Sequence, residues 1–198
     1  MVKLYWAPKT RSIRALWMLE ETGVAYSRER IDRDRAPQDP AFLAASPIGK
    51  IPALTDGAAQ LAESGAICAY LAERFPQADL APVVGDPLRG RYFHWLFFAP
   101  ACIEPAFPEQ PVKNGMTARS AEWAEQDRVT GVLERALERG PWILGDRFSA
   151  ADVMIGSDLI MGFEQLGVAP AQASLRAYLE RCHDRPALQR ALAIEADG

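Results

Sequence analysis

One stretch of this chain carries the residue types and spacing for ligand chemistry. It is Ser46-Pro47-Ile48-Gly49-Lys50-Ile51-Pro52-Ala53-Leu54, followed by Leu61-Ala62-Glu63-Ser64-Gly65-Ala66-Ile67. Pro52 stands where a strand should begin, one of the few strand positions that tolerates proline. A cis Ile51-Pro52 bond is expected here. It would turn the Ile51 backbone outward, where its N–H and C=O can pair with a ligand's own peptide groups, and cis bonds are almost confined to proline. Glu63-Ser64 falls between a short strand and an apolar helix. Free backbone N–H groups and a serine hydroxyl at a helix start make an anion site. A peptide-pairing edge beside a carboxylate pocket suits a small peptide.

The elements that must position these residues follow from the flanking pattern. Val2 to Trp6 reads as a short buried strand, broken by Ala7-Pro8-Lys9-Thr10. A helix opens at Arg11 or Ser12; Ile13, Leu16, Trp17 and Leu19 follow a helical period, and Gly23 stops it. Tyr26 to Ile31 is a second strand, running into the mixed charges Arg28 to Arg35, which read as a solvated edge and loop. Pro40 to Ala45 can hold a short helix. Ala53 to Thr55 and Ala59 to Ala62 form a hairpin around Asp56-Gly57, a favoured turn pair. A helix from Ser64 to Phe75 ends before Pro76. The order is βαβ then ββα, a thioredoxin-like layout with a right-handed crossover in its parallel half.

Residues 77–86 are a linker rich in proline and glycine, and no strand signal follows it. Leu88 to Phe98 is an aromatic-rich helix, bent or interrupted near Pro100, Pro105 and Pro108. Met116 to Arg139 is a long amphipathic helix with Trp123, Val129, Val132, Leu133 and Leu137 on its buried stripe. Ala150 to Leu166, Ala173 to Cys182 and Pro186 to Ala193 give three more. In Gly145-Asp146-Arg147-Phe148-Ser149-Ala150-Ala151-Asp152-Val153, Ser149 and Asp152 fit a capping box, and Phe148 and Val153 the hydrophobic staple. Asp152 therefore belongs to folding rather than catalysis.

Composition bounds the function. The 198 residues are 49% hydrophobic and 9% aromatic, enough for a globular core. A formal charge of −4 argues against nucleic acid or an anionic membrane as the main partner. Apolar runs are broken well short of about 20 residues, so no membrane span is expected. The start leads straight into a strand rather than into a signal peptide. Cys68, Cys102 and Cys182 are widely separated, a pattern that suits reduced thiols in a cytoplasm. His94 and His183 have no partners at metal-ligand spacing, so no metal site is expected.

Lys50-Ile51-Pro52 and Glu63-Ser64, with the capping segment, resemble the cytosolic glutathione S-transferases, theta-like and bacterial types most of all. The resemblance covers nearly the whole chain. It implies a thioredoxin-like domain over 1–76, a linker over 77–86, and an all-helical domain over 87–198 that forms the electrophile pocket. It implies conjugation of the glutathione thiolate to a small hydrophobic electrophile, with glutathione as co-substrate, in a cytoplasmic homodimer. The rivals are a glutathione-dependent reductase, peroxidase or isomerase, and a non-catalytic glutathione-binding protein on the same fold.

By the same resemblance, Lys50 meets the glycyl carboxylate, Ile51 the peptide, Glu63 the γ-glutamyl amine and Ser64 the neighbouring carboxylate. The thiol-activating residue belongs in Leu4-Tyr5-Trp6-Ala7-Pro8-Lys9-Thr10-Arg11-Ser12. Thr10 takes the place of the serine used by theta-like enzymes. Ser12 and Tyr5 are the alternatives, and backbone N–H groups alone a third. Arg11 stands where beta-class enzymes have cysteine, which disfavours their mixed-disulfide chemistry. A hydroxyl donor at a helix N-terminus favours thiolate over thiol. Lowering a thiol pKa from about 8.5 to about 6.5 requires about 2.7 kcal/mol of such preference. The structural alternative for both hydroxyls is loop capping. Trp6, Phe98 and Cys102 are expected in the electrophile pocket, the last two because they lie four apart on one helix.

Overall fold

The computed structural model describes residues 1–34, 39–106, 126–165 and 172–197. The expectations for Arg35, Pro108, Leu166 and the helix segment from Met116 through Trp123 lie outside the described residues. The described chain forms two compact units. One is Met1–Ala81 with His183–Gly198, the other Pro82–Cys182.

The first unit is built on a four-stranded sheet of order β2-β1-β3-β4. Strand β1 (Val2–Trp6) pairs in parallel with β2 (Tyr26–Arg30) and antiparallel with β3 (Ala53–Asp56), which pairs antiparallel with β4 (Ala59–Ala62). The central β1 is buried at Val2, Leu4, Tyr5 and Trp6, while the edge strand β2 is charged and partly exposed, which discourages further pairing. Helices α1 (Ser12–Thr22), α2 (Pro40–Ala45) and α3 (Ser64–Arg74) follow the expected order. Asp39 caps α2 by accepting from the Ala41 N–H at 2.9 Å.

Helix α1 is buried well beyond one stripe, with Leu16, Trp17, Met18 and Leu19 all at 0% exposure. The reason is that it packs against both α3 and α9 (Pro186–Asp197). Arg185 grips Glu21 with two bonds, Nε to Oε1 at 2.5 Å and the terminal nitrogen to Oε2 at 2.7 Å. Arg190 Nε donates to Glu20 Oε2 at 2.7 Å. The sequence pattern ends this last helix at Ala193 and groups it with the other helices. It runs to Asp197 and packs on α1, drawn there by Leu188, Ala191 and these two arginines.

In the second unit, α4 (Arg89–Phe98) runs into a π turn over Ala99–Ile103 and the single turn α5 (Glu104–Ala106). The interruption falls at Pro100, where proline removes a helical donor. Helix α6 is described over Gln126–Leu137. Helix α7 (Ala150–Ile160) is buried at every residue, packs against α4, and continues as a π turn over Met161–Gln165; α8 is Ala173–His183. The capping box at Ser149 and Asp152 is present. Asp152 Oδ2 accepts from the Ser149 N–H at 2.9 Å and the Ser149 hydroxyl at 3.0 Å; Oδ1 accepts from the Ile143 N–H at 2.8 Å and the Tyr178 hydroxyl at 3.1 Å. Burial pushes the Asp152 carboxyl up to about 6 against the pull of these donors.

Candidate functional site

The strand register gathers the sequence-predicted residues at one end of the first unit's sheet. Tyr5 lies opposite Ala53, and Ala53 opposite Ala62. The loop leaving β1, which carries Thr10, therefore emerges at the same edge as Pro52 entering β3 and Glu63-Ser64 leaving β4. Ligands in open α/β sheets sit at such carboxyl ends of parallel strands.

The segment before β3 is held by a residue the sequence reading gave no role. Ser46 is fully buried. Its hydroxyl donates to the Lys50 carbonyl at 2.7 Å and accepts from the Lys50 N–H at 2.9 Å. Gly49 adopts φ 67°, a left-handed turn that glycine takes without cost, and donates to the Ser46 carbonyl at 2.8 Å. The Ile51-Pro52 bond is cis, as expected. The Lys50 side chain is exposed, with no ion-pair partner among the described residues. A serine immediately after a helix and four before a lysine is an ordinary loop signature, which is why the clamp is not legible in the sequence.

At the other side of the edge, Glu63 has φ 67° and ψ 119°, rare for a residue with a side chain. Such strain concentrates at functional sites, where the surroundings over-determine it. It turns the chain so that α3 begins with Ser64, Gly65 and Ala66, whose N–H groups precede the first helical bond, from the Ile67 N–H to the Glu63 carbonyl at 3.0 Å. The Ser64 side chain is mostly buried, and its hydroxyl has no partner among the described residues. These donors and the positive helix end make a seat for a carboxylate.

The three candidate activators stand in different surroundings. Thr10 is partly exposed in the loop. Its oxygen lies 2.7 Å from the Ala7 carbonyl and 2.9 Å from the Ser12 hydroxyl, and accepts from the Ser12 N–H at 3.1 Å. Ser12 is fully buried at the first position of α1, so it meets Thr10 rather than solvent. Tyr5 is buried in a cluster with Phe42, Ala45 and Ala53. Its ring sits 5.3 Å from that of Phe42, and its hydroxyl bonds Lys3. Thr10 and Ser12 are brought together; Tyr5 faces elsewhere.

Neither Cys68 nor Cys102 is poised as a thiolate. Cys68 is fully buried, which pushes its thiol up to about 12 although the Arg14 charge opposes this. Burial also raises Cys102. Cys182 is buried and, like the other two, not in a disulfide. None of the three cysteines lies in the Thr10 loop. Among the described residues, no group of side chains could hold a metal ion, and no helix is long and apolar enough to cross a membrane.

In the second unit, Phe98 and Cys102 line a cavity of about 290 Å³ together with Val129, Val132, Arg128 and Arg135. Trp6 is not among its lining residues. It is buried in the first unit with the Arg28 guanidinium 5.4 Å from its ring centre.

Residues 1–73 match the family model of the glutathione S-transferase N-terminal domain. Glutathione S-transferase 3 of Zea mays is 30% identical over 97% of this chain and 93% of its own length. The disulfide-bond oxidoreductase YfcG of Escherichia coli K12 is 29% identical over 97% of this chain and 94% of its own. A Pseudomonas putida glutathione transferase, solved with one glutathione disulfide bound per subunit, superposes with a TM-score of 0.81 at 30% identity, covering 96% of this chain and 90% of its own. The chain is a member of the glutathione S-transferase family.

Proposed function

We propose that the chain binds glutathione at this sheet edge and transfers its thiolate to a small hydrophobic electrophile. The observation that supports it most is the convergence of three features on one edge: the Ser46-clamped Lys50-Ile51 segment, the strained Glu63 before an open helix start at Ser64, and the Thr10 loop. Lys50 and Ser64 hold carboxylates of the tripeptide, Glu63 its amine, and Ile51 its peptide groups. Thr10 then presents its hydroxyl to the sulfur. For this the O–H leaves the Ala7 carbonyl, while the Ser12 N–H continues to hold the threonine oxygen. The thiolate attacks the electrophile's carbon, the carbon–sulfur bond forms, and the leaving group departs with the electron pair. The protein contributes a lowered thiol pKa and proximity. The cavity beside Phe98 and Cys102 takes the electrophile. The active form is a homodimer in the cytoplasm.

The similarity to a disulfide-bond oxidoreductase favours a second reading on the same site. There the thiolate attacks a disulfide sulfur, the other sulfur leaves as thiolate, and a second glutathione resolves the mixed disulfide. Parallel assays separate the two: conjugation of an aryl halide, and glutathione-dependent reduction of a small dialkyl disulfide. Conjugation the faster supports the first reading. Disulfide reduction alone replaces it with the second, and failure to bind immobilised glutathione refutes both.

A further inference from the structure

Near the end of α9, the Glu195 carboxylate reaches the loop that carries Thr10. It accepts a hydrogen bond from the Lys9 backbone N–H. Its other oxygen, Oε1, is buried with no hydrogen-bond partner among the described residues. Lys9 has φ 55°, a left-handed conformation that is costly for a residue with a side chain. Within the loop, the Thr10 hydroxyl is the pin, through the Ala7 carbonyl. Once that hydroxyl turns to a sulfur the pin is released, and the strained Lys9 needs another hold. Helix α9 can supply it from a fixed base, because Arg185 and Arg190 tie it to Glu21 and Glu20 at the far end of α1.

We propose that Glu195 is a positioning residue for thiolate activation: it clamps the Lys9 N–H and keeps the Thr10 hydroxyl aimed when that hydroxyl exchanges Ala7 for the ligand's sulfur. The inference rests on the function proposed above for the Thr10 loop. The carboxylate's own charge is unhelpful beside a thiolate. The Lys9 ammonium is the charged group that faces Glu195, and it offsets this, while burial pushes the carboxyl toward its neutral form. The useful property of Glu195 is therefore an acceptor oxygen at a fixed place.

The test is a pH titration of glutathione bound to the whole protein, read by thiolate absorbance, together with kcat and KM for glutathione. It uses the wild type, Glu195→Ala, Glu195→Gln and Gln189→Ala. Glu195→Ala should raise the apparent pKa of the bound thiol by about one unit and lower kcat at neutral pH about tenfold, with KM within about threefold. Glu195→Gln keeps an acceptor oxygen and should restore both to near wild type. Gln189→Ala is an exposed change on the same helix, off the loop and outside the Arg185–Glu21 and Arg190–Glu20 ties, and should move neither. The proposal is overturned if Glu195→Ala keeps the wild-type pKa and kcat, or if Gln189→Ala shifts them as far. Should Glu195→Ala not fold, Glu195→Asp, one methylene shorter, is judged by the same criteria. A wild-type bound thiol no more acidic than free glutathione defeats the proposed function and this inference together. A lowered wild-type pKa that Glu195→Ala leaves unchanged defeats the positioning role alone.

Discussion

Replacing Asp152 by alanine should destabilise the second unit, and the loss should grow as pH falls. The carboxylate accepts from the Ile143 and Ser149 N–H groups and from the Ser149 and Tyr178 hydroxyls, all of them buried. Removing one side of such a network orphans several donors, and we expect a loss of about 3 kcal/mol at pH 7.5. The folded-state pKa of about 6 lies above the ordinary aspartate value of 3.8. A raised carboxyl contributes stability that is fully present below the unfolded pKa and is lost as pH rises through the folded one. Between pH 7.5 and pH 5 the wild type should therefore gain roughly 1.5 kcal/mol that the alanine variant does not. Urea unfolding of both proteins at the two pH values, followed by circular dichroism, measures the difference. A gap below 1 kcal/mol at pH 7.5 would refute the network's importance. A gap that narrows toward pH 5 would show that the four donors outweigh burial and hold the carboxylate ionised.

Ser64→Ala should weaken glutathione binding by about 1–3 kcal/mol, the cost of leaving a charged group without its partner; unchanged affinity by calorimetry would sink the anion seat. Gly140→Ala should lower thermal stability, because an added Cβ would sit 2.5 Å from the Gly145 carbonyl carbon, a backbone atom that cannot swing away. An unaltered melting temperature contradicts that reading. The homodimer predicts a light-scattering mass of about twice the 21.8 kDa chain at micromolar concentration, and a single-chain mass excludes it.

The fold was legible where local rules and tertiary demands agree. The strands, the Gly57 hairpin turn and the Ser149–Asp152 cap all follow from period, turn chemistry and capping residues over short spans. The candidate site was legible as residue types at a spacing, because Pro52 and Glu63-Ser64 flank the two strands of one hairpin. What stayed hidden depends on distant partners. Nothing local to Pro186–Asp197 says that it packs on α1, since Arg185 just before it meets Glu21 from 164 residues away and Arg190 within it meets Glu20 from 170. Ser12 and Thr10 look alike in sequence, and only burial tells them apart: Ser12 is fully buried and Thr10 is partly exposed. The left-handed backbone at Lys9 and Glu63 carries no residue signal, since neither is glycine or asparagine.

The central claim is that the Thr10 hydroxyl stabilises the thiolate of bound glutathione, and Thr10→Val tests it with the shape kept and the donor removed. The measurement is the apparent pKa of glutathione bound to the protein, titrated for wild type and variant. The account predicts a wild-type value near 6.5 and a rise of about one to two units in the variant, the worth of a hydrogen bond to a charged group. Activity at neutral pH should fall roughly ten- to a hundredfold and partly recover as pH rises. An unshifted pKa in Thr10→Val, with wild-type activity across the same range, would contradict the account.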